Sequence, residues 1–200
     1  MIKCIIFDLG RVLVPFDFNR AWVRMEALSG LSAVEIRRRV DEACLFLPFE
    51  SGITSPEEFV ARMNGLLRID LGEQEFSAIW NSIFLPETLV REELLQVLAE
   101  DYRLVLLSNT NVIHFRFLQK NYPLLRHFHQ YVLSYEAGVM KPAPEIYQKA
   151  VDAAGCLPEE CLFFDDIREN VEGAELAGIN AVLFTSGRQP EAELRARGII

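Results

Sequence analysis

Apolar runs long enough to cross a membrane are missing from this chain. The longest, such as Leu104 to Leu107 and Ala181 to Phe184, fall far short of the roughly 20 residues that a span needs. The apolar start is cut by Asp8 and Arg11, so neither a membrane anchor nor a signal segment is expected. Positive charge is scarce as well: 20 Lys and Arg stand against 29 Asp and Glu, for a net charge of −9. No basic stripe with interleaved aromatics offsets it, and such a chain repels polyphosphate backbones, which excludes nucleic acid as a natural partner. Cysteine and histidine number only 4 and 3. Cys4, Cys44, Cys156 and Cys161 show neither CxxC nor Cys/His ligand spacing, and all are expected to be reduced and buried in a cytoplasmic protein. His114, His127 and His129 lack metal-ligand spacing and are expected to pack in the interior or lie at the surface. Internal repeats and low-complexity tracts are absent too.

What is present is half apolar by composition over 200 residues, enough for one α/β domain with a modest insertion. Five short runs rich in β-branched and aromatic residues stand out: Lys3 to Phe7, Arg103 to Leu107, Tyr131 to Ser134, Cys161 to Phe164 and Ala181 to Phe184. None alternates cleanly with polar residues, which predicts strands buried on both faces, as in a parallel sheet covered by helices. Helical stretches lie between the later runs. Ala143 to Ala154 is expected to stop at Gly155, and Asn170 to Ala177 at Gly178, each glycine suiting the left-handed position past a helix end.

Nearly a hundred residues without a convincing strand separate the first and second runs, so a helical unit must be inserted there. Ser32 with Glu35 reads as a capping box, and Ser55, Pro56 and Glu58 supply an N-cap, a first-turn proline and a reciprocal acceptor. Trp22, Met25 and Leu28, then Phe59, Met63, Leu66 and Leu67, recur at helical spacing and are expected to form its core. Pro86 to Tyr102, with Leu89, Val90, Leu94, Val97 and Leu98 on one side, predicts the helix that re-enters the main domain. The division expected is therefore 1–15 with 86–200 as an α/β, Rossmann-like core, and 16–85 as a small helical cap.

In an open parallel sheet, ligands bind beyond the carboxyl ends of the strands. The first run is followed by Asp8, the second by Ser108 and Asn109, and the fourth by Asp165 and Asp166, while Lys141 is expected to open the helix after the third. Crowded acids repel one another unless a cation sits among them, and oxygen ligands without His or Cys call for Mg²⁺. A serine, an amide and a lysine around the same point can hold the non-bridging oxygens of a phosphoryl group.

Ile5-Ile6-Phe7-Asp8-Leu9-Gly10-Arg11-Val12-Leu13, Leu107-Ser108-Asn109-Thr110, Met140-Lys141-Pro142 with Glu145-Ile146-Tyr147, and Phe164-Asp165-Asp166 with Glu169-Asn170 resemble the four ordered motifs of the haloacid dehalogenase superfamily. Within it the chain is most similar to the branch holding a bacterial α-glucose-1-phosphate phosphatase and the phosphatase domain of soluble epoxide hydrolase, which also carry a helical cap after the first motif. The resemblance implies that Asp8 is a nucleophile forming an aspartyl-phosphate. It further implies that Ser108 and Asn109 bind phosphate oxygens, and that Lys141 neutralises the nucleophile and the transferring group. Asp8, Asp166 and the Gly10 carbonyl would bind Mg²⁺, with Asp165 holding Lys141 and Asn170 in the outer metal shell.

One position departs from the pattern. Most phosphatases of the superfamily carry aspartate where this chain has Gly10, its side chain serving as general acid and then base. Glycine keeps the carbonyl and loses the carboxyl, a loss typically worth about 10²–10⁴-fold in rate. Three readings stay open: the branch tolerates it, since the glucose-1-phosphate phosphatase has glycine there too; Asp17, in Phe16-Asp17-Phe18-Asn19, supplies the acid from the cap hinge instead of serving as a loop or N-cap aspartate; or turnover is lost. Phe46, Phe49 and Glu50, followed by Ser51-Gly52, resemble the cap loop that faces the nucleophile in relatives, with core packing an equal reading for the phenylalanines.

The expected function is that of a Mg²⁺-dependent phosphatase acting on a small phosphorylated metabolite, such as a sugar phosphate, as a monomer or homodimer. Its rivals are a metal-independent haloacid dehalogenase, disfavoured by the adjacent Asp165 and Asp166, and a catalytically silent binding module, favoured only by Gly10.

Overall fold

The computed structural model describes residues Met1–Ile200. Five parallel strands form one sheet: β1 (Cys4–Phe7), β2 (Arg103–Ser108), β3 (Gln130–Leu133), β4 (Cys161–Asp165) and β5 (Asn180–Leu183), in the order β3-β2-β1-β4-β5. All five lie within a residue or two of the apolar runs. Ile5, Phe7, Leu104, Leu106, Leu162 and Phe164 enter one apolar cluster, and their strand neighbours Cys4, Ile6, Val105, Leu107, Cys161 and Phe163 enter another. Side chains alternate between the faces of a strand, so a strand buried on both sides must be apolar throughout.

Between β1 and β2 come α1 (Asn19–Ser29), α2 (Ala33–Glu42), α3 (Phe46–Glu50), α4 (Pro56–Leu67) and α5 (Glu73–Trp80), then α6 (Glu92–Asp101). Beyond β2 follow α7 (Val112–Asn121), the short α8 (Ser134–Ala137), α9 (Pro144–Ala154), α10 (Arg168–Leu176) and α11 (Gln189–Ala196). Leu94, Leu95 and Leu98 of α6, Phe115 and Leu118 of α7 and Leu194 of α11 cover one face of the sheet. Ile146, Tyr147 and Ala150 of α9, with Ala174 of α10, cover the other. Gly155 takes the left-handed conformation at the end of α9 (φ 67°), as its spacing predicts.

Helices α1 to α5 pack around a separate cluster that includes Trp22, Met25, Phe49, Phe59, Met63 and Trp80. Two extended segments join this helical unit to the sheet side by side: Asp17 N–H donates to the Ile83 carbonyl (2.9 Å), and Leu85 N–H to that of Pro15 (3.0 Å). Ser32 and Ser55 cap α2 and α4, each accepting from a backbone N–H at 3.2 Å. The reciprocal glutamate bonds do not form. Glu35 pairs with Arg38 and Arg39 instead, and Glu58 faces Arg62 at 3.9 Å.

Other expectations need correction. Leu28, Leu89 and Val97 are exposed: α1 and α6 present a narrower apolar stripe than their sequences suggest, and Leu89 lies ahead of α6, which begins at Glu92 and not at Pro86. Cys44 is exposed and Cys156 partly so; only Cys4 and Cys161, inside strands, are buried, since strand position and not residue type excludes water there. Lys141 does not open a helix: α9 begins at Pro144, leaving Lys141 in the preceding loop.

Candidate active site

Phe7 of β1 lies opposite Phe164 of β4, so the next residues, Asp8 just past β1 and Asp165 at the end of β4, emerge next to each other. From β1 the chain builds outward through β2 and β3 on one side, then returns to place β4 and β5 on the other. The crevice left by that reversal is where an open α/β sheet binds ligands.

Lys141 reaches into it from the loop before α9. Its Nζ donates to Asp8 Oδ1 (2.7 Å), Asp165 Oδ2 (2.6 Å) and the Leu107 carbonyl (3.0 Å), which occupies all three ammonium protons. Asn109 fixes the lysine's backbone, with its amide Nδ2 donating to the Lys141 carbonyl at 2.9 Å and its Oδ1 accepting from Lys141 N–H at 2.8 Å. This amide is thus engaged in positioning Lys141, a task that the sequence did not reveal. Asp165 is itself held on both oxygens: Oδ1 accepts from Ile167 N–H (2.8 Å) and Asn170 Nδ2 (3.0 Å), and Oδ2 from Asn170 Nδ2 (3.1 Å) as well as from Lys141. Asn170 is anchored in turn by its carbonyl, which accepts from Tyr147 OH at 2.7 Å. The loop carrying Ser108 and Asn109 is tied down one residue later, where Thr110 and Ser134 exchange hydrogen bonds of 2.9 and 3.0 Å.

The electrostatics of the cluster are unbalanced. Asp8, Asp165 and Asp166 can each place a carboxylate oxygen so that all three lie within 4.8 Å of one another, and Lys141 is the one ammonium among them. Burial pushes the Asp8 carboxyl up to about 7, with Asp165 adding to the rise and Lys141 opposing it. Asp166 is raised too, by burial and then by Asp165. For Lys141, burial works against the charge, but Asp8 and Asp165 outweigh it and the net shift is upward. Three carboxylates and one ammonium leave a deficit that a hard divalent cation would balance, and oxygen donors alone are the ligand set that suits Mg²⁺.

Gly10 follows Asp8 in the turn that leaves β1. A Cβ built there would lie 2.7 Å from Phe16 Cε1, so the phenyl ring occupies the space where a longer side chain would begin. The Arg11 guanidinium lies 4.9 Å from the centre of the same ring. Asp17 accepts from Asn19 N–H at 2.9 Å at the start of α1, and it lines a different cavity, with Arg11, Arg37 and Asp41.

Above the Asp8 turn, the sheet and the helical unit enclose a cavity of about 70 Å³. Gly10, Ser108 and Asn109 contribute to it from the sheet side, Phe16 and Phe84 from the connecting segments, and Glu50 from α3. His114 of α7 also lines it, stacked on Trp80 with centroids 5.4 Å apart. Its Nδ1 meets Asn81 Oδ1 at 3.0 Å, while its Nε2 is buried without a partner. Burial lowers this imidazole to about 3, so it is neutral. Sequence reasoning gave His114 a packing role and missed its place at the cavity; the usable signal was Asn111, which caps α7 by accepting from His114 N–H (3.0 Å) and so sets that helix's first turn against the site.

Comparison with known proteins gives a consistent picture. The family model for haloacid dehalogenase-like hydrolases matches residues 2–178. A D-ribitol-5-phosphate phosphatase from Bacteroides thetaiotaomicron is 31% identical over 186 residues, covering 88% of this chain and 89% of that protein. A phosphatase from Mycobacterium tuberculosis is 28% identical, covering 94% of this chain and 89% of its own length. Among solved structures, an enzyme of the same family from Bacteroides thetaiotaomicron, in complex with magnesium and inorganic phosphate, superposes with a TM-score of 0.80 at 31% identity, over 94% of this chain and 96% of that one.

Proposed function

Because the chain belongs to the haloacid dehalogenase-like hydrolase family, we propose that it is a Mg²⁺-dependent phosphatase that cleaves a small organic phosphate through an aspartyl-phosphate on Asp8. Residues 1–15 and 86–200 form the catalytic core and 16–85 the cap. The observation that carries this reading is the buried Lys141 bridge between Asp8 and Asp165, with Asp166 beside it.

Asp8 attacks phosphorus through a carboxylate oxygen as the bond to the leaving oxygen breaks, and water later cleaves the acyl-phosphate, so one hard displacement becomes two easier ones. Lys141 keeps Asp8 ionised and offsets charge on the transferring group, while Asp165 and Asn170 hold the lysine in place. Ser108, with the backbone around Asn109, contacts the phosphate oxygens. Asp8, Asp166 and the Gly10 carbonyl hold Mg²⁺, which supplies positive charge that lets an anionic nucleophile approach a phosphate dianion. A cavity of about 70 Å³ favours a small substrate. A sugar or sugar-alcohol phosphate suits the Glu50 carboxyl and the unpartnered His114 Nε2 in its wall, and the ribitol-phosphate relative points the same way. A metal-independent dehalogenase gains nothing from three clustered carboxylates.

The test is a panel of metabolite phosphates assayed with Mg²⁺ and with chelator, beside Asp8→Asn. Hydrolysis that needs both Mg²⁺ and Asp8, with beryllofluoride trapped at Asp8, is the expected result. Turnover that persists in Asp8→Asn would sink the proposal, and halide release that survives chelation would favour the dehalogenase.

A further inference from the structure

The phosphatase reading leaves one chemical task unassigned: a proton must reach the departing oxygen, and another must leave the attacking water. Position 10 cannot do either, having no side chain, and the space beside it is filled by the Phe16 ring. Among the residues lining the cavity above Asp8, only Glu50 and His114 are ionisable. His114 is neutral, and its Nδ1 is engaged with Asn81. Asp17 faces another cavity and accepts from the backbone of its own helix start.

Resting on that reading, we propose that Glu50, delivered from the cap at the end of α3, is the general acid and general base that position 10 lacks. Helix α3 is well placed to aim it. Gly52, at φ 71°, packs so closely on the Tyr135 carbonyl of α8 that no side chain would fit between them, which docks the end of α3 directly on the core. Glu50 lines the cavity together with Gly10, Ser108 and Asn109, and neither a cation nor a donor engages its carboxyl. Burial alone raises it to about 7, so both of its protonation states are populated near neutral pH.

The steps balance. As Asp8 bonds to phosphorus and the bond to the leaving oxygen breaks, protonated Glu50 gives its proton to that oxygen, and the alcohol departs. Glu50, now a carboxylate, takes a proton from the water that attacks the phosphoryl group. The bond from Asp8 to phosphorus breaks, inorganic phosphate leaves, and Glu50 is protonated again.

The experiment compares the parent and Glu50→Gln with Mg²⁺ on two substrates: an alkyl monoester that the parent hydrolyses, and 4-nitrophenyl phosphate, whose phenolate leaves without protonation. For the alkyl ester, kcat is expected to fall about 10²–10⁴-fold with KM little changed. For the aryl ester, nitrophenolate release in the first turnover stays close to the parent's rate, then slows, giving a burst stoichiometric with enzyme as the phosphoenzyme accumulates. Glu50→Asp should recover part of the alkyl activity, and unchanged stabilisation by Mg²⁺ shows that Glu50→Gln folds. An equal fall in the first-turnover rate for both esters, a rise in KM alone, or no change would overturn the assignment while leaving the Asp8 phosphatase intact. A parent with no Mg²⁺-dependent, Asp8-dependent hydrolysis would overturn both.

Discussion

Replacing Lys141 by methionine keeps the length of the side chain and removes the charge that separates two buried carboxylates. Asp165 is fully buried and Asp8 nearly so, and breaking such a pair from one side typically costs about 3–5 kcal/mol. The variant escapes part of that penalty by taking up protons, which sets a ceiling. At pH 7.5, protonating a carboxyl whose unfolded pKa is about 3.9 costs at most about 5 kcal/mol, and at pH 5 only about 1.5 kcal/mol. Carboxyls with folded pKa values raised in this way contribute fully at low pH, and their contribution is lost as pH rises from the unfolded value through the folded one. The stability deficit of Lys141→Met relative to the parent should therefore be about 3–5 kcal/mol at pH 7.5 and shrink to about 1.5 kcal/mol or less at pH 5, read from urea unfolding in chelator. A deficit below about 1 kcal/mol at pH 7.5, or one that does not change with pH, would refute the claim that the Lys141 ammonium is what makes the burial of Asp8 and Asp165 tolerable.

Further consequences can be measured independently. Protons and Mg²⁺ compete for Asp8, raised to about 7 by burial, and for Asp166, also raised, so Mg²⁺ affinity by calorimetry should tighten between about pH 5.5 and 8, with proton release on binding; a flat profile would contradict the assignment of these ligands. His114 falls from 6.5 to about 3 on burial, so its share of stability is complete above pH 6.5 and is lost as pH falls. At pH 5 the loss is ~2 kcal/mol, and His114→Phe, whatever its constant cost, should remove that slope. Gly10→Ala places a methyl against Phe16 and should cost about 1–3 kcal/mol by overpacking; most of that should disappear in a Phe16→Leu background, and strictly additive losses in the double-mutant cycle would show that the two positions do not touch.

The strand ends were the most legible part of the sequence. A both-faced strand must be apolar until it leaves the sheet, so the first polar residue marks the edge where ligands bind, and Asp8, Ser108, Asp165 and Asp166 could be read that way. Helix boundaries at Ser32, Ser55 and Gly155 were readable because caps and stops act within a few residues. What stayed hidden depends on contacts between the two units. Nothing local says that Phe16 fills the space at Gly10 or that the Asn109 amide clasps the backbone of Lys141, whereas Glu50, at the end of a five-residue helix, was marked only by the resemblance of its segment to a cap loop. Leu28 and Val97 misled for the converse reason, since spacing gives a helix's apolar stripe but not how wide a partner surface will cover it.

The strand that leads into Asp8 is the middle one, and both of its neighbours come from far along the chain: Cys4 is aligned with Arg103 on one side and Cys161 on the other. Pairings of such long range are slow to form, because chain entropy is spent before contacts repay it. The helical unit, built from near neighbours in sequence, can organise early, whereas Asp8 meets its lysine only after most of the polypeptide has been made. A chain halted before β4 carries Lys141 but lacks Asp165, which holds that lysine, and Asp166, so it cannot assemble the three-carboxylate cluster.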